Sequence, residues 1–405
     1  MVALDEPLMP ETVVIAGAGH AAGQVIATLK QKKFGGKIVL IGDEAYLPYQ
    51  RPPLSKKFLA GELDAERLHF KPSSFYDDAN IDVHLNTRVT GINTDTRSVT
   101  TQDGESIKYD KLVLALGSRA RKIPTAREDL AGVFYLRGID DVNNIRGEIG
   151  VDKRVAIVGA GYIGLEVAAV CRQLGLKVMV VEMAERVMSR VVSAQVSAFY
   201  QRQHENHGVE FRMSTGLSAL HGDGHVTALE LDDGQMIETN FVIIGAGILP
   251  NYELAEAAGL QVENGIAVDD RCQSSDPDIY AIGDCSSHYS SIYGRRIRLE
   301  SVHNALEQAK TAASNICGIA ERYSQVPWFW SDQYDLKLQI AGLSQGYDEV
   351  VIRGEQDDKK FSCFYLRDGV LIAVDAINSP RDFMQSKSLI ATRTVIDPAK
   401  LAHPE

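Results

Sequence analysis

The first constraints on this chain come from what it lacks. Its five cysteines (Cys171, Cys272, Cys285, Cys317 and Cys363) are scattered, with no C-x-x-C and no metal-ligand spacing. No iron–sulfur cluster is therefore expected to be held by the chain itself, and the cysteines read as small buried hydrophobes in a reducing cytoplasm. Basic residues are in deficit: 42 Lys and Arg against 54 Asp and Glu leave a net charge of -12. Nucleic acid and anionic membranes reward basic surfaces, so neither is expected as the main partner. No apolar run is long enough to span a bilayer, because the stretch after Thr12 is broken by His20, Gln24 and Lys30. The first residues carry Asp5, Glu6 and Glu11 where a secretory signal would be positive. Hydrophobic content of 45% with 24% charged residues is that of a folded soluble protein, and 405 residues suggest about two to three domains.

Two dinucleotide-binding fingerprints are present. The first runs from the β-branched stretch Thr12 to Ala16 into Gly17-Ala18-Gly19-His20-Ala21-Ala22. Gly17 permits a tight turn, Gly19 lets the backbone approach a pyrophosphate, and Ala22 stands where a third glycine is usual. The helix that follows aims bare N–H groups and its dipole at the phosphates. The next strand, Lys37 to Gly42, leads to Asp43, whose carboxylate suits ribose hydroxyls. The same grammar recurs at Arg154 to Glu182, with Gly159, Gly161 and Gly164 in the turn and Glu182 after the strand Leu176 to Val181. Glu182 suits the free 2′-hydroxyl of NAD and repels the extra phosphate of NADP, although Arg186 stands nearby. Two such sites imply two dinucleotides, a resident flavin and a visiting nicotinamide.

Lys111 to Gly117 reads as a strand ending in the crossing between two nucleotide-binding domains, and Phe241 to Asn251 as the crossing back. Ile279 to Asp284 is a short strand ending in an acid. From Val326 onward the pattern changes to alternating strands, a hairpin turn at Arg367-Asp368-Gly369 and a helix near Asp382 to Ile390. The expected fold is α/β: two Rossmann-like dinucleotide-binding domains for FAD and NAD, plus a C-terminal α+β interface domain. Its boundaries are 1–117 with 246–325 for FAD, 118–245 for NAD and 326–405 for the interface domain.

These motifs together resemble the two-dinucleotide-binding flavoproteins that include glutathione reductase. Disulfide reductases of that superfamily carry a cysteine pair after the first βαβ unit. Here the region Leu47 to Leu59 holds no sulfur. Arg51-Pro52-Pro53-Leu54-Ser55-Lys56, Tyr162 to Glu166, Glu300 to Val302, Asn304 to Ala309 and Pro327-Trp328-Phe329-Trp330-Ser331-Asp332-Gln333-Tyr334 are instead similar to the NADH-dependent ferredoxin reductases of bacterial cytochrome P450 and aromatic oxygenase systems. That resemblance implies non-covalent FAD contacted by Ala21, Asp43, Lys56, Val89, Arg137, Asp284 and Val302. It implies a Lys56–Glu166 pair beside the reactive edge of the flavin, with Trp330 near the ring. Lysine there stabilises negative charge as hydride arrives.

The implied reaction delivers two electrons at once from NADH and discharges them singly to an acidic [2Fe–2S] ferredoxin, which in turn serves a P450 or ring-hydroxylating oxygenase. Arg295, Arg296 and Arg298 form the densest basic run, Lys310 lies on the following helix, and all four are candidates to steer that partner. Two rivals remain open on the residues alone. One is a related reductase with another acceptor (rubredoxin, monodehydroascorbate or oxygen), and the other a redox-responsive binding protein resembling apoptosis-inducing factor.

Overall fold

The computed structural model describes residues 11–402 apart from 79, 126 and 128. The chain forms two compact units. One comprises residues 11–50, 68–119 and 250–327, and the other 51–67, 120–249 and 328–402.

The first unit is built on a five-stranded parallel sheet ordered Ile279–Ala281, Lys111–Leu114, Thr12–Ala16, Lys37–Ile41 and Ile81–His84. Strands covered on both faces need apolar residues at successive positions, and Val13, Val14 and Ile15 are all fully buried. Each such side chain contributes about 1.5–3 kcal/mol. Helices His20–Gln31 and Val302–Ile316 supply one covering layer through Val25, Ile26, Leu29, Ala309 and Ala312. The other face meets Val99 and Ile107 of a small antiparallel sheet.

The second unit repeats the plan with the order Val209–Arg212, Lys177–Val181, Arg154–Val158, Phe241–Ile244 and Val133–Tyr135. It also holds an antiparallel sheet ordered Trp328–Gln333, Leu336–Gly342, Val370–Ile377, Lys360–Arg367 and Glu349–Glu355, covered by helix Pro380–Ala391. The hairpin turn lies at Asp368 and Gly369, both with positive φ (52° and 73°). The expected third domain thus packs into one unit with the second nucleotide-binding module.

Arg51–Arg67 also belongs to this second unit, although chain order placed it with the first strand–helix–strand. Packing explains the reassignment. Leu54, Phe58 and Leu59 are buried, the Arg51 guanidinium donates to the Arg137 carbonyl at 2.7 Å, and Arg146 lies 5.6 Å over the Phe58 ring. Proline at the start of the 3₁₀ turn Pro52–Ser55 sets up the bend. Within this unit, Asp375 is fully buried and accepts from the Tyr365 hydroxyl, which itself accepts from the Ser193 N–H at 3.0 Å.

Candidate active site

In the first unit, strand Thr12–Ala16 ends at Gly17, with φ +106°. A Cβ there would lie 2.2 Å from the Ala115 carbonyl oxygen, so only glycine makes this turn. Gly19 caps helix His20–Gln31 without any side-chain cap, and a Cβ on it would meet nothing within 4 Å. The entry to the helix is therefore open at Gly19, as close approach of a pyrophosphate requires. Ala22 is fully buried against the sheet, and Ala21 lies 3.6 Å from where a Cβ on Gly283 would be. The turn carrying Asp284 thus sits beside the glycine loop, and Ser118 donates to Asp284 Oδ2 at 2.7 Å. Asp43 is more than half exposed, with Arg88 at 3.4 Å. Val89 opens a half-buried antiparallel strand, and Val302 opens the helix capped by Ser301. These positions, expected from the sequence to contact flavin, share one unit. Lys56 and Arg137 lie in the other.

The second fingerprint has the same construction. Gly159 has φ +109° and its Cβ would fall 2.4 Å from the Gly245 oxygen. A Cβ on Gly164 would fall 2.1 Å from the Gly159 oxygen, whereas one on Gly161 would meet nothing. Glu182 accepts from the Ala160 N–H at 2.7 Å and the Ala184 N–H at 2.8 Å, which fixes both its oxygens beside the loop. Arg186 is turned away into backbone carbonyls, donating to Val192 at 2.8 Å and Ser189 at 2.7 Å.

Lys56 and Glu166 meet in the second unit, although they are far apart in sequence. Lys56 Nζ stands 2.7 Å from Glu166 Oε2, with the side chains 18% and 2% exposed. Helix Tyr162–Gln173 brings Glu166 inward, and Lys56 follows the 3₁₀ turn Pro52–Ser55. Ser55 donates to the same oxygen at 2.5 Å and Ser331 to Oε1 at 2.6 Å. Three donors meet the two oxygens of this carboxyl, so the pair is held in one geometry. Trp330 adjoins Ser331 on strand Trp328–Gln333, half-buried and 5.4 Å from the Trp328 ring centroid.

The match to known proteins accords with this geometry. Residues 11–309 match the family described as pyridine nucleotide-disulphide oxidoreductase, and residues 328–405 match the reductase C-terminal family. The chain belongs to the pyridine nucleotide-disulphide oxidoreductase family. It is 43% identical over 394 residues to putidaredoxin reductase of Pseudomonas putida, covering 96% of this chain and 93% of that protein. Rubredoxin-NAD(+) reductase of Pseudomonas putida is 39% identical over 370 residues, 91% of this chain and 96% of that one. Among solved structures, the covalent putidaredoxin reductase–putidaredoxin complex matches with a TM-score of 0.95 at 42% identity, over 97% of this chain and 96% of that chain. The α/β fold and the reductase resemblance read from the sequence both stand on these matches.

Despite the family's name, the cysteines of this chain are not built for thiol exchange. Burial pushes the thiols of Cys171 and Cys363 up to about 12 and that of Cys285 to about 11, and lifts Cys272 and Cys317 as well. A thiolate is the reactive form, and burial suppresses it at each of them.

The basic run is less of a cluster than its spacing suggests. Arg298 is 12% exposed and paired with Glu300 at 2.7 Å. Arg296 donates to the Ser287 carbonyl at 2.6 Å and the Val268 carbonyl at 3.2 Å. Both are drawn into the fold by local acceptors. Arg295 is exposed, and Lys310 is half-exposed beside Glu307 at 2.6 Å.

Residue-by-residue reasoning overlooked Ser55, Ser118 and Ser331. Their hydroxyls matter only because folding places them against Glu166 and Asp284, and nothing in their local sequence announces it. Among the described residues no helix is long and apolar enough to cross a membrane, and no group of three His, Cys, Asp or Glu is arranged to hold a metal.

Proposed function

We propose that this chain is an NADH-dependent ferredoxin reductase that passes electrons through FAD, one at a time, to a [2Fe–2S] ferredoxin serving a cytochrome P450 or related oxygenase. The observation that carries the reading is the buried Lys56–Glu166 pair, clasped by Ser55 and Ser331, in a chain whose thiols are all suppressed. The likeness to putidaredoxin reductase along almost the whole chain supports the choice of acceptor.

Two open glycine cradles, each at a bare helix N-terminus, fit two dinucleotides. Gly17, Gly19, Ala21, Ala22, Asp43, Lys56, Val89, Arg137, Asp284 and Val302 are the residues that would hold FAD. Gly159, Gly161, Gly164 and Glu182 would hold NADH. When bound, FAD would supply the conversion of one hydride's electron pair into single electrons. Lys56 would supply a cation to stabilise negative charge on the bound flavin, Glu166 orients that cation, and Trp330 would supply an aromatic face for the ring. Glu182 and the diversion of Arg186 into carbonyls together favour NADH over NADPH. The functional division follows the chain as 1–117 with 246–325, 118–245 and 326–405. Exposed Arg295 and half-exposed Lys310 are the cations that would meet an acidic partner, with Arg296 and Arg298 adding positive charge near Arg295. Five unpaired cysteines suit a place in the reducing cytoplasm.

Rubredoxin is the second reading of the acceptor, favoured by the 39% relative. Rapid-mixing turnover with NADH and each purified carrier separates the two. The proposal expects a yellow protein that reduces a [2Fe–2S] ferredoxin over many cycles without added thiol. Colourless protein that takes up no flavin, a thiol requirement, or turnover with rubredoxin alone overturns it.

A further inference from the structure

Beyond Ser331, a line of buried polar side chains continues away from Glu166. Ser331 and Gln333 lie two apart on strand Trp328–Gln333 and so share a face, and they are 0% and 1% exposed. Gln333 Nε2 lies 3.1 Å from Ser331 Oγ. Gln333 Oε1 lies 2.8 Å from Nε2 of His204, which is fully buried near the end of helix Ala194–Asn206. His204 Nδ1 lies 3.2 Å from the Tyr334 hydroxyl, and the Tyr334 ring stacks on His207 at 3.8 Å.

Valence fixes the direction of every link. A carboxylate only accepts, so Ser331 donates its single proton to Glu166. The Ser331 oxygen is then an acceptor, which assigns the Gln333 amide nitrogen to it and leaves the Gln333 carbonyl for His204. His204 donates from Nε2, so its Nδ1 accepts from Tyr334. Burial pushes the His204 imidazole down to about 4, which keeps it in the neutral form this pattern needs. Four residues from one helix, a strand and a turn therefore point their donors one way, toward one carboxyl on a second helix.

We propose that Ser331, Gln333 and His204 are positioning residues for the Lys56–Glu166 pair. Their one-way hydrogen-bond chain, running from Tyr334 to Glu166, holds the carboxylate in the orientation that aims the Lys56 ammonium. The inference rests on the reading of Lys56 as the cation beside the flavin. An amide is a poor proton carrier, so the chain orients and does not conduct.

The first test needs no turnover. With ¹⁵N-labelled histidine, the imidazole shifts of the unmodified protein are expected to show His204 neutral and protonated at Nε2. A proton at Nδ1 reverses the chain and overturns the inference. In the second test, Ser331→Ala is expected to keep full flavin content but to slow the bleaching of bound flavin by NADH about tenfold, because supports behind a reacting group typically matter at that scale. Ser331→Thr, which keeps the hydroxyl, restores the rate. Competitive acetylation of Lys56 rises in Ser331→Ala as the ion pair loosens. In a Lys56→Met background, Ser331→Ala is expected to have no further effect on bleaching. Equal slowing in both backgrounds identifies a merely structural serine and overturns the proposal. If Ser331→Ala does not fold, the His204 tautomer and the Ser331→Thr rate decide. Unmodified protein that binds flavin and is bleached by NADH upholds the functional reading, so an unaffected Ser331→Ala then refutes the positioning chain alone.

Discussion

Asp375 gives the most quantitative test of the packing in the second unit. Its carboxyl is fully buried, Tyr365 donates to Oδ2, and Oδ1 has no hydrogen-bond partner among the described residues. Burial raises it from 3.8 to about 7, against a smaller opposing effect of the Tyr365 hydrogen bond. For an acid raised in the folded state, the stability it contributes is complete below the unfolded value and is lost as pH rises through the folded one. At about 1.4 kcal/mol per unit, the loss between pH 5 and pH 8 is about 3 kcal/mol, since part of it has already occurred by pH 5. Asp375→Asn keeps an acceptor for Tyr365 and removes the titration. Urea unfolding of both proteins at several pH values isolates the term, because every other group cancels in the difference. The variant is expected to gain on the parent by about 3 kcal/mol from pH 5 to pH 8. A difference that stays flat across this range would show that Asp375 does not titrate there, and would refute the argument.

Four further outcomes follow from the site and the basic residues. Lys56→Met leaves Glu166 buried without its cation, so the protein is expected to lose about 3 kcal/mol in chemical denaturation and its ferredoxin turnover to fall at least about tenfold; unchanged values in both would remove the pair from the mechanism. Gly161→Val projects into open space beside the second helix, so the NADH KM is expected to rise about tenfold or more with little change in melting temperature. Gly164→Ala drives a Cβ to 2.1 Å from the Gly159 oxygen and is expected to cost about 1–3 kcal/mol in stability; the reverse ranking in melting temperature would contradict the cradle geometry. Lys310→Glu combined with Arg295→Glu is expected to raise the ferredoxin KM severalfold at low salt while ferricyanide reduction holds, with the difference fading as salt screens the charges. Salt-independent kinetics would exclude these residues from steering.

Much of the fold was legible because its signals are local. The apolar run Thr12–Ala16, the turn at Gly17 and the helix after Gly19 are adjacent in the chain, and so are their counterparts at Arg154 to Gly164. Positive φ at Gly17 and Gly159 is a demand of the turn itself, readable wherever the motif stands. The hairpin at Asp368-Gly369 was equally plain, since alternation on both sides and a turn dipeptide lie within one short window.

Contacts that join distant segments were not legible. The sequence offered Lys56 and Glu166 as a pair only through resemblance to relatives, while the serines that hold them carry no local signature. Arg296 and Arg298 show the limit from the other side, because a basic run in sequence says nothing of acceptors waiting in the fold. The sequence by itself determined that there are two dinucleotide-binding fingerprints and that no cysteine pair follows the first, since both depend on residues within a few positions of one another. Only the tertiary structure decided that Arg51–Arg67 packs with the second unit and that Ser55, Ser331, Gln333 and His204 converge behind Glu166. Those arrangements arise where separate strands and helices exclude water together, and no stretch of chain encodes that alone.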